Sequence, residues 1–261
     1  MSLVSNLFLI FVALSLLVYY IVPQKLQWIV LLVFSYIYYL AGGPRYVFFI
    51  LFSTLVTWLM AIFIEKTEEK GNHKGAKKLL ITGLILNFGM LGIVIYTNFT
   101  IENINALFHL HLRGIELLFP LGISFYTFQS SGYLLDVYWK RCKAEKQPFK
   151  YALFVSYFPQ ILQGPIGRYN RLANQLYEGH KFNGKNIVRG FERILWGFFK
   201  KMIIADWAAV FSDTIFNDPE TYSGVALIGV LLYSAQLYAD FSGGMDVVIG
   251  ISSMFGIELD E

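Results

Sequence analysis

The chain has 261 residues; 56% are hydrophobic, 18% aromatic and only 15% charged, and the mean hydropathy is +0.53. Soluble domains carry about a quarter charged residues, so this composition excludes a soluble globular protein and indicates an integral membrane protein. The net charge of +3 is small, no nucleic acid is expected as a partner, and the single cysteine, Cys142, excludes an internal disulfide.

Several stretches carry no charge, among them 3–22, 26–43, 46–64, 79–101, 151–167 and 221–239. A membrane-spanning helix needs about 20 mostly apolar residues, and most of these are long enough. The first lacks a basic leader and a small-residue cleavage site, so it is expected to be a retained span. Residues 117–139 read as a fifth span of unusual polarity, with Ser124, Thr127, Gln129, Ser130, Ser131 and Asp136. Small and hydroxyl residues favour close helix packing. That is the expectation for the serines; Gln129 and Asp136 fit either packing or a cavity wall.

The basic residues fall into blocks after the first, third and fifth spans and after residue 167; of the 21 lysines and arginines only Arg45 and Arg113 lie in the alternate loops. Positive charge marks the cytoplasmic side, which places the N-terminus outside. By the same rule SYFPQILQGPIGRYN, residues 156–170, begins and ends on the cytoplasmic side. It reads as a re-entrant segment, with Pro159 and Pro165 ending short helical pieces. Such irregular backbone survives at membrane depth only when enclosed by protein or lining a wet cavity. The competing expectation is a proline-kinked span.

Residues 186–204 repeat Ile187, Phe191, Ile194, Leu195, Phe198 and Met202 at helical spacing, with Arg189, Arg193 and Lys200 on another face. This is an amphipathic helix suited to the cytoplasmic interface, its basic side toward anionic lipid or a partner. Residues 202–216, containing Asp206 and Asp213, are expected to be a short crossing that ends in an outer turn at 217–220. In 231–257, Gln236 and Asp240 share a helix face, as do Ser242 and Asp246 if Gly243 and Gly244 do not break the helix. A carboxylate within a span costs about 2.5–3.5 kcal/mol on insertion scales and marks a candidate functional site. Alternatively, Asp240 and Asp246 pair with cytoplasmic Arg or Lys, or cap backbone N–H groups at a glycine break.

The chain contains no phosphate-cradling glycine loop, HExxH or GxSxG motif, and His109 and His111 alone are too few for a zinc site, so no metal is expected. There is no inverted repeat of the kind many transporters show.

Four segments occur in order: FPLGISFYTFQSSGYLLDVYW (119–139), FVSYFPQILQGPIGRYNRLANQL (154–176), GFFKKMIIADW (197–207) and QLYADFSGGMDVVIGISSMFGI (236–257). Together they resemble the membrane-bound O-acyltransferase family, in particular its bacterial alginate O-acetyltransferase and teichoic-acid D-alanylation branch. The resemblance divides the chain into N-terminal transmembrane helices, 1–116, and a partial acyltransferase core, 117–261. It implies an all-α integral membrane fold: a multi-span helical ring with a re-entrant segment and a cytoplasmic amphipathic helix, in the bacterial plasma membrane. It further implies an acyl thioester, on coenzyme A or an acyl carrier, as co-substrate with no bound cofactor. The acceptor would be a hydroxyl of an extracellular polysaccharide such as alginate, with a periplasmic or extracellular acyltransferase as partner. The residues expected along the passage are Phe158, Pro159, Gln160, Gly164, Pro165, Arg168, Gln236, Asp240, Ser242 and Asp246. In the family a buried histidine acts as general base, which suits a hydroxyl nucleophile near neutral pH. None of His73, His109, His111 and His180 matches it, so no catalytic residue is assigned here and the chain is expected to stop short of that region. The other readings are a non-catalytic scaffold of a polysaccharide-modification complex, and a transporter or channel with Asp240 or Asp246 as ion ligand.

Overall fold

A computed structural model describes residues 5–114, 120–161 and 163–260. Among these residues there are ten α-helices and no strand: α1 Asn6–Ile21, α2 Gln27–Gly42, α3 Val47–Glu69, α4 His73–Phe108, α5 Ile123–Tyr138, α6 Pro148–Ser156, α7 Tyr169–Tyr177, α8 Gly184–Phe198, α9 Asp206–Asn217 and α10 Ala226–Met254. The segments containing α2, α3, α4 and α10 are long and apolar enough to cross a membrane. The protein is therefore an all-α membrane protein. The expected boundary at 116/117 and the first residue of the 119–139 segment lie outside the described residues.

The chain groups into two compact units: Met1–Gln24, Gln163–Pro165 and His180–Glu261 form one, and Lys25–Leu162 and Ile166–Gly179 the other.

In the second unit α3 packs against α4 and α5, and α6 against α2 and α3. Polar groups join these helices internally, because lipid offers backbone and side chains no substitute for water. Ser53 donates to Asn87 Oδ1 at 2.6 Å, and Asn87 Nδ2 donates to Thr57 Oγ1 at 3.0 Å, tying α3 to α4. Helix α4 starts six residues ahead of its apolar stretch because the Asn72 side chain caps it, accepting from Gly75 N–H at 2.9 Å. The lysines expected in a loop at 74, 77 and 78 thus lie in its first turns. Helix α5 has 16 residues, shorter than the expected span, and is buried on most of its surface. Gln129 settles as a packing residue: its Nε2 donates to the Phe154 carbonyl of α6 at 3.0 Å. Asp136 lies 3.5 Å from Arg141 at the end of α5.

Helix α6 spans nine residues, about 14 Å, well short of the ~30 Å hydrocarbon core. The chain then leaves helical geometry at Tyr157 (φ −48°, ψ 108°), and among the described residues no helix resumes before Tyr169. A kinked but continuous span is therefore excluded. The helix ends before Pro159, and Pro165 sits in irregular backbone, so neither proline terminates a helix as expected. The irregular backbone is held from α5: Gly122, at φ +67°, lies so close to the Ile161 carbonyl that a Cβ there would be 1.9 Å from its oxygen.

Candidate functional site

The expected passage residues fall in both units. In the second unit, Phe158, Pro159 and Gln160 are buried. Phe158 N–H donates to Ser35 Oγ at 3.0 Å, and Gln160 N–H closes a turn onto the Tyr157 carbonyl at 3.0 Å. Arg168 is exposed and serves as the N-cap residue of α7, its carbonyl accepting from Arg171 and Leu172. Beside this stretch the rings of Tyr133, Tyr151, Phe154 and Tyr169 cluster, with centroids 4.6–4.7 Å apart for Tyr133–Tyr169 and Tyr133–Tyr151. Glu145, which the sequence did not single out, is the polar hub here. It accepts from Tyr169 Oη at 2.8 Å, its N–H donates to Tyr133 Oη at 2.8 Å, and its carbonyl accepts from Trp58 Nε1 at 2.9 Å.

The first unit holds Gly164, Pro165, Gln236, Asp240, Ser242 and Asp246. Helix α10 runs unbroken through Gly243 and Gly244, so no cap forms there. Its glycines serve close contact instead. A Cβ at Gly243 would meet the Gly197 carbonyl of α8 at 2.8 Å, and one at Gly250 would meet the Gly190 carbonyl at 2.6 Å. Gly244 lies under Gln163, whose Nε2 donates to the Phe241 carbonyl at 3.1 Å. Helices α8 and α10 therefore run antiparallel with two backbone contacts, the small-residue packing common in membranes.

Polar and charged groups link α10 to α8, the segment that follows it and α9, with Asp246 and Arg193 between the two glycine contacts. Asp246 takes Arg193 Nε at 3.1 Å and Lys200 Nζ at 2.5 Å. Asp240 pairs with Lys201, and Gln236 accepts from Ser212 of α9 at 3.1 Å. Lys200 and Lys201 belong to a π-helical segment, Phe199–Ala205, that joins α8 to α9. Its wider turn lets two consecutive lysines reach carboxylates on the same neighbouring helix. Asp240 and Asp246 thus pair with Arg and Lys. Of the expected basic face, Arg189 is exposed, while Arg193 and Lys200 turn inward; Phe191, Leu195, Trp196, Phe199 and Met202 are exposed instead. This inside-out arrangement suits lipid. Ser242 Oγ is buried without a hydrogen-bond partner.

In the second unit His73 bonds Glu68 at 2.7 Å, His109 occupies a left-handed C-cap of α4 and His111 is exposed; in the first, His180 lies beside Gly256. Outside the helices, burial, reinforced by Asp136 and Glu65, pushes the Cys142 thiol up to about 12.

No protein-family model matches the chain. Individual relatives do. The chain is 35% identical over 98% of its length to a probable alginate O-acetylase from Pseudomonas syringae pv. tomato. The chain belongs to the membrane-bound O-acyltransferase family. A second member, the peptidoglycan O-acetyltransferase of Helicobacter pylori, is 34% identical over 89% of the chain. A third, the teichoic acid D-alanyltransferase of Bacillus subtilis, is 29% identical over 56%. The chain spans about half the length of the curated relatives it matches, covering 50% of the first and 48% of the second.

Proposed function

We propose that this protein works as a membrane O-acyltransferase. It moves an acetyl group from a cytoplasmic thioester, carried by coenzyme A or an acyl carrier, to hydroxyls of an extracellular polysaccharide such as alginate. The observation that carries this reading is 35% identity, over nearly the whole chain, to a relative named for alginate O-acetylation. In this reading the N-terminus faces outward from the bacterial plasma membrane, and a periplasmic or extracellular acyltransferase takes part downstream. The irregular stretch with Phe158, Pro159, Gln160 and Arg168, and the segment with Gly164 and Pro165, border the donor passage. Gln236, Asp240 and Asp246 act as positioning residues, holding α9, the π segment and α8 against α10, and Ser242, with its unpartnered buried hydroxyl, lines the passage. The competing ion-path reading is disfavoured because both carboxylates it would use are already paired, Asp246 with two cations and Asp240 with Lys201.

None of the four histidines matches the family's general base, so residues 1–261 expressed alone are expected to transfer nothing. The test expresses the natural gene product, and separately residues 1–261, in a host lacking its own O-acetylation. O-acetyl groups on alginate and peptidoglycan are then read by proton NMR. Acetylation by the natural product alone supports the proposal. Transfer by residues 1–261 refutes the histidine argument, and acetylation by neither leaves only the scaffold role.

A further inference from the structure

Within the second unit, α2, α3 and α6 enclose a groove of about 490 Å³. That lies within the ~300–1,000 Å³ of small-molecule sites. Its walls include Ile37, Leu51 and Leu55, each about half exposed, on helices long and apolar enough to span a membrane. Hydrocarbon is therefore the medium that meets it.

Two hydroxyls break the apolar wall. Thr54 is only 7% exposed, and the polar group against its Oγ1 is the neighbouring Tyr36 Oη; among the described residues neither hydroxyl has any other hydrogen-bond partner. Even if the two bonded each other, a donor would be left over, because each hydroxyl carries one proton and two lone pairs. A spare donor in an apolar groove calls for an acceptor oxygen from the occupant. The groove opens at the first turn of α6, lined by Pro148 and Phe149. There Gln147 provides no side-chain cap and Lys146 is exposed. A helix N-terminus beside a lysine favours a phosphate. Two acids lie nearby, Glu145, whose oxygens accept from Gln147 N–H and Tyr169 Oη, and Glu65, whose Oε1 accepts from Ala144 N–H; they are outnumbered by Lys140, Arg141, Lys143, Lys146 and Lys150 of the same stretch. Trp58 bonds the Glu145 carbonyl, and Thr54 lies one turn further along α3, about 6 Å deeper. A phosphate at the α6 terminus would thus bring an acyl ester near Thr54.

We propose that this groove binds one anionic glycerophospholipid, with its phosphate at the start of α6, an ester carbonyl accepting from Thr54, and one acyl chain lying between α2 and α3. This inference does not depend on acyl transfer. It is tested on the natural gene product, purified in detergent and exposed to phosphatidylglycerol or phosphatidylcholine of identical chains. Native mass spectrometry reads the retained lipid, and melting temperature confirms folding. One phosphatidylglycerol is expected to stay bound under activation that strips phosphatidylcholine. Leu55→Trp, which fills the groove, should abolish retention, and Lys146→Glu should erase the preference between the lipids. Thr54→Val keeps the shape and should weaken binding about tenfold, the loss of one buried hydrogen bond. Equal retention by L55W, or no preference for phosphatidylglycerol in the natural protein, overturns the proposal. So does a photo-crosslinker at Phe149 that captures protein, whether another helix or a second copy, in place of lipid.

Discussion

At the residue scale, the decisive group is Asp246, a carboxylate midway between two glycine contacts and held by Arg193 and Lys200. Removing one partner of a buried ion pair leaves the other charge uncompensated in a poorly solvating interior. Asp246→Asn is therefore expected to destabilise the protein by about 3 kcal/mol, the lower end for buried pairs because Arg193 is still 28% exposed. Replacing all three members by Leu or Met of similar volume should recover most of that loss. Denaturant titration of the purified protein checks both, and full stability of the single variant would show that the pairs are ornamental. That Asp240 and Asp246 pair with basic residues was one of the alternatives open in the sequence. Which basic residues was not legible, because Lys200 and Lys201 are adjacent and a regular α-helix would splay them about 100° apart. The π segment resolves this, and hydrophobic periodicity does not reveal a π segment. Glu145 escaped notice for a similar reason: it sits in a basic loop, and its hub role depends on Trp58, Tyr133 and Tyr169, remote in sequence.

At the element scale, glycines discriminate contact from open surface. Gly190 and Gly197 on α8, and Gly243 and Gly250 on α10, are each seven residues apart, so each pair lines one helix face. That spacing was present in the sequence and is the signal that could have paired these helices. Gly197→Ala and Gly250→Ala force a Cβ to within 2.6 Å of a backbone carbonyl, and each is expected to cost about 1–3 kcal/mol as the helices separate. Gly89 and Gly92 of α4 have nothing within 4 Å, and alanine there is expected to be neutral or stabilising by up to about 1 kcal/mol. Melting temperatures of the four variants provide the comparison; uniform behaviour would remove the packing argument. The amphipathic pattern of 186–204 was also legible, but periodicity cannot say which face meets protein. In a membrane the usual assignment inverts: charged and small residues face inward and large apolar ones outward.

At the scale of the whole molecule, orientation rests on the basic loops. Cysteines introduced at Gly71 or Lys146 are expected to react with an impermeant maleimide only in inverted vesicles, and one at His111 only in intact cells. The native thiol contributes little background. Its pKa is raised, so at pH 7–8 Cys142 stays protonated, and its thiolate accumulates only as pH approaches about 12. Labelling of position 111 from the inner side would reverse the topology.

Composition and hydropathy were enough to determine that the protein is helical and membrane-embedded, because the cost of placing charge or bare backbone in hydrocarbon is large and local. Four ordered motifs determined its family for the same local reason: they are short and contiguous. Tertiary structure alone decided how the broken stretch is held and how the buried carboxylates are satisfied. Gly122 meets Ile161 across 39 residues, and Arg193 meets Asp246 across 53. Contacts at that separation depend on where folding brings the helices, and no window of the sequence contains both partners.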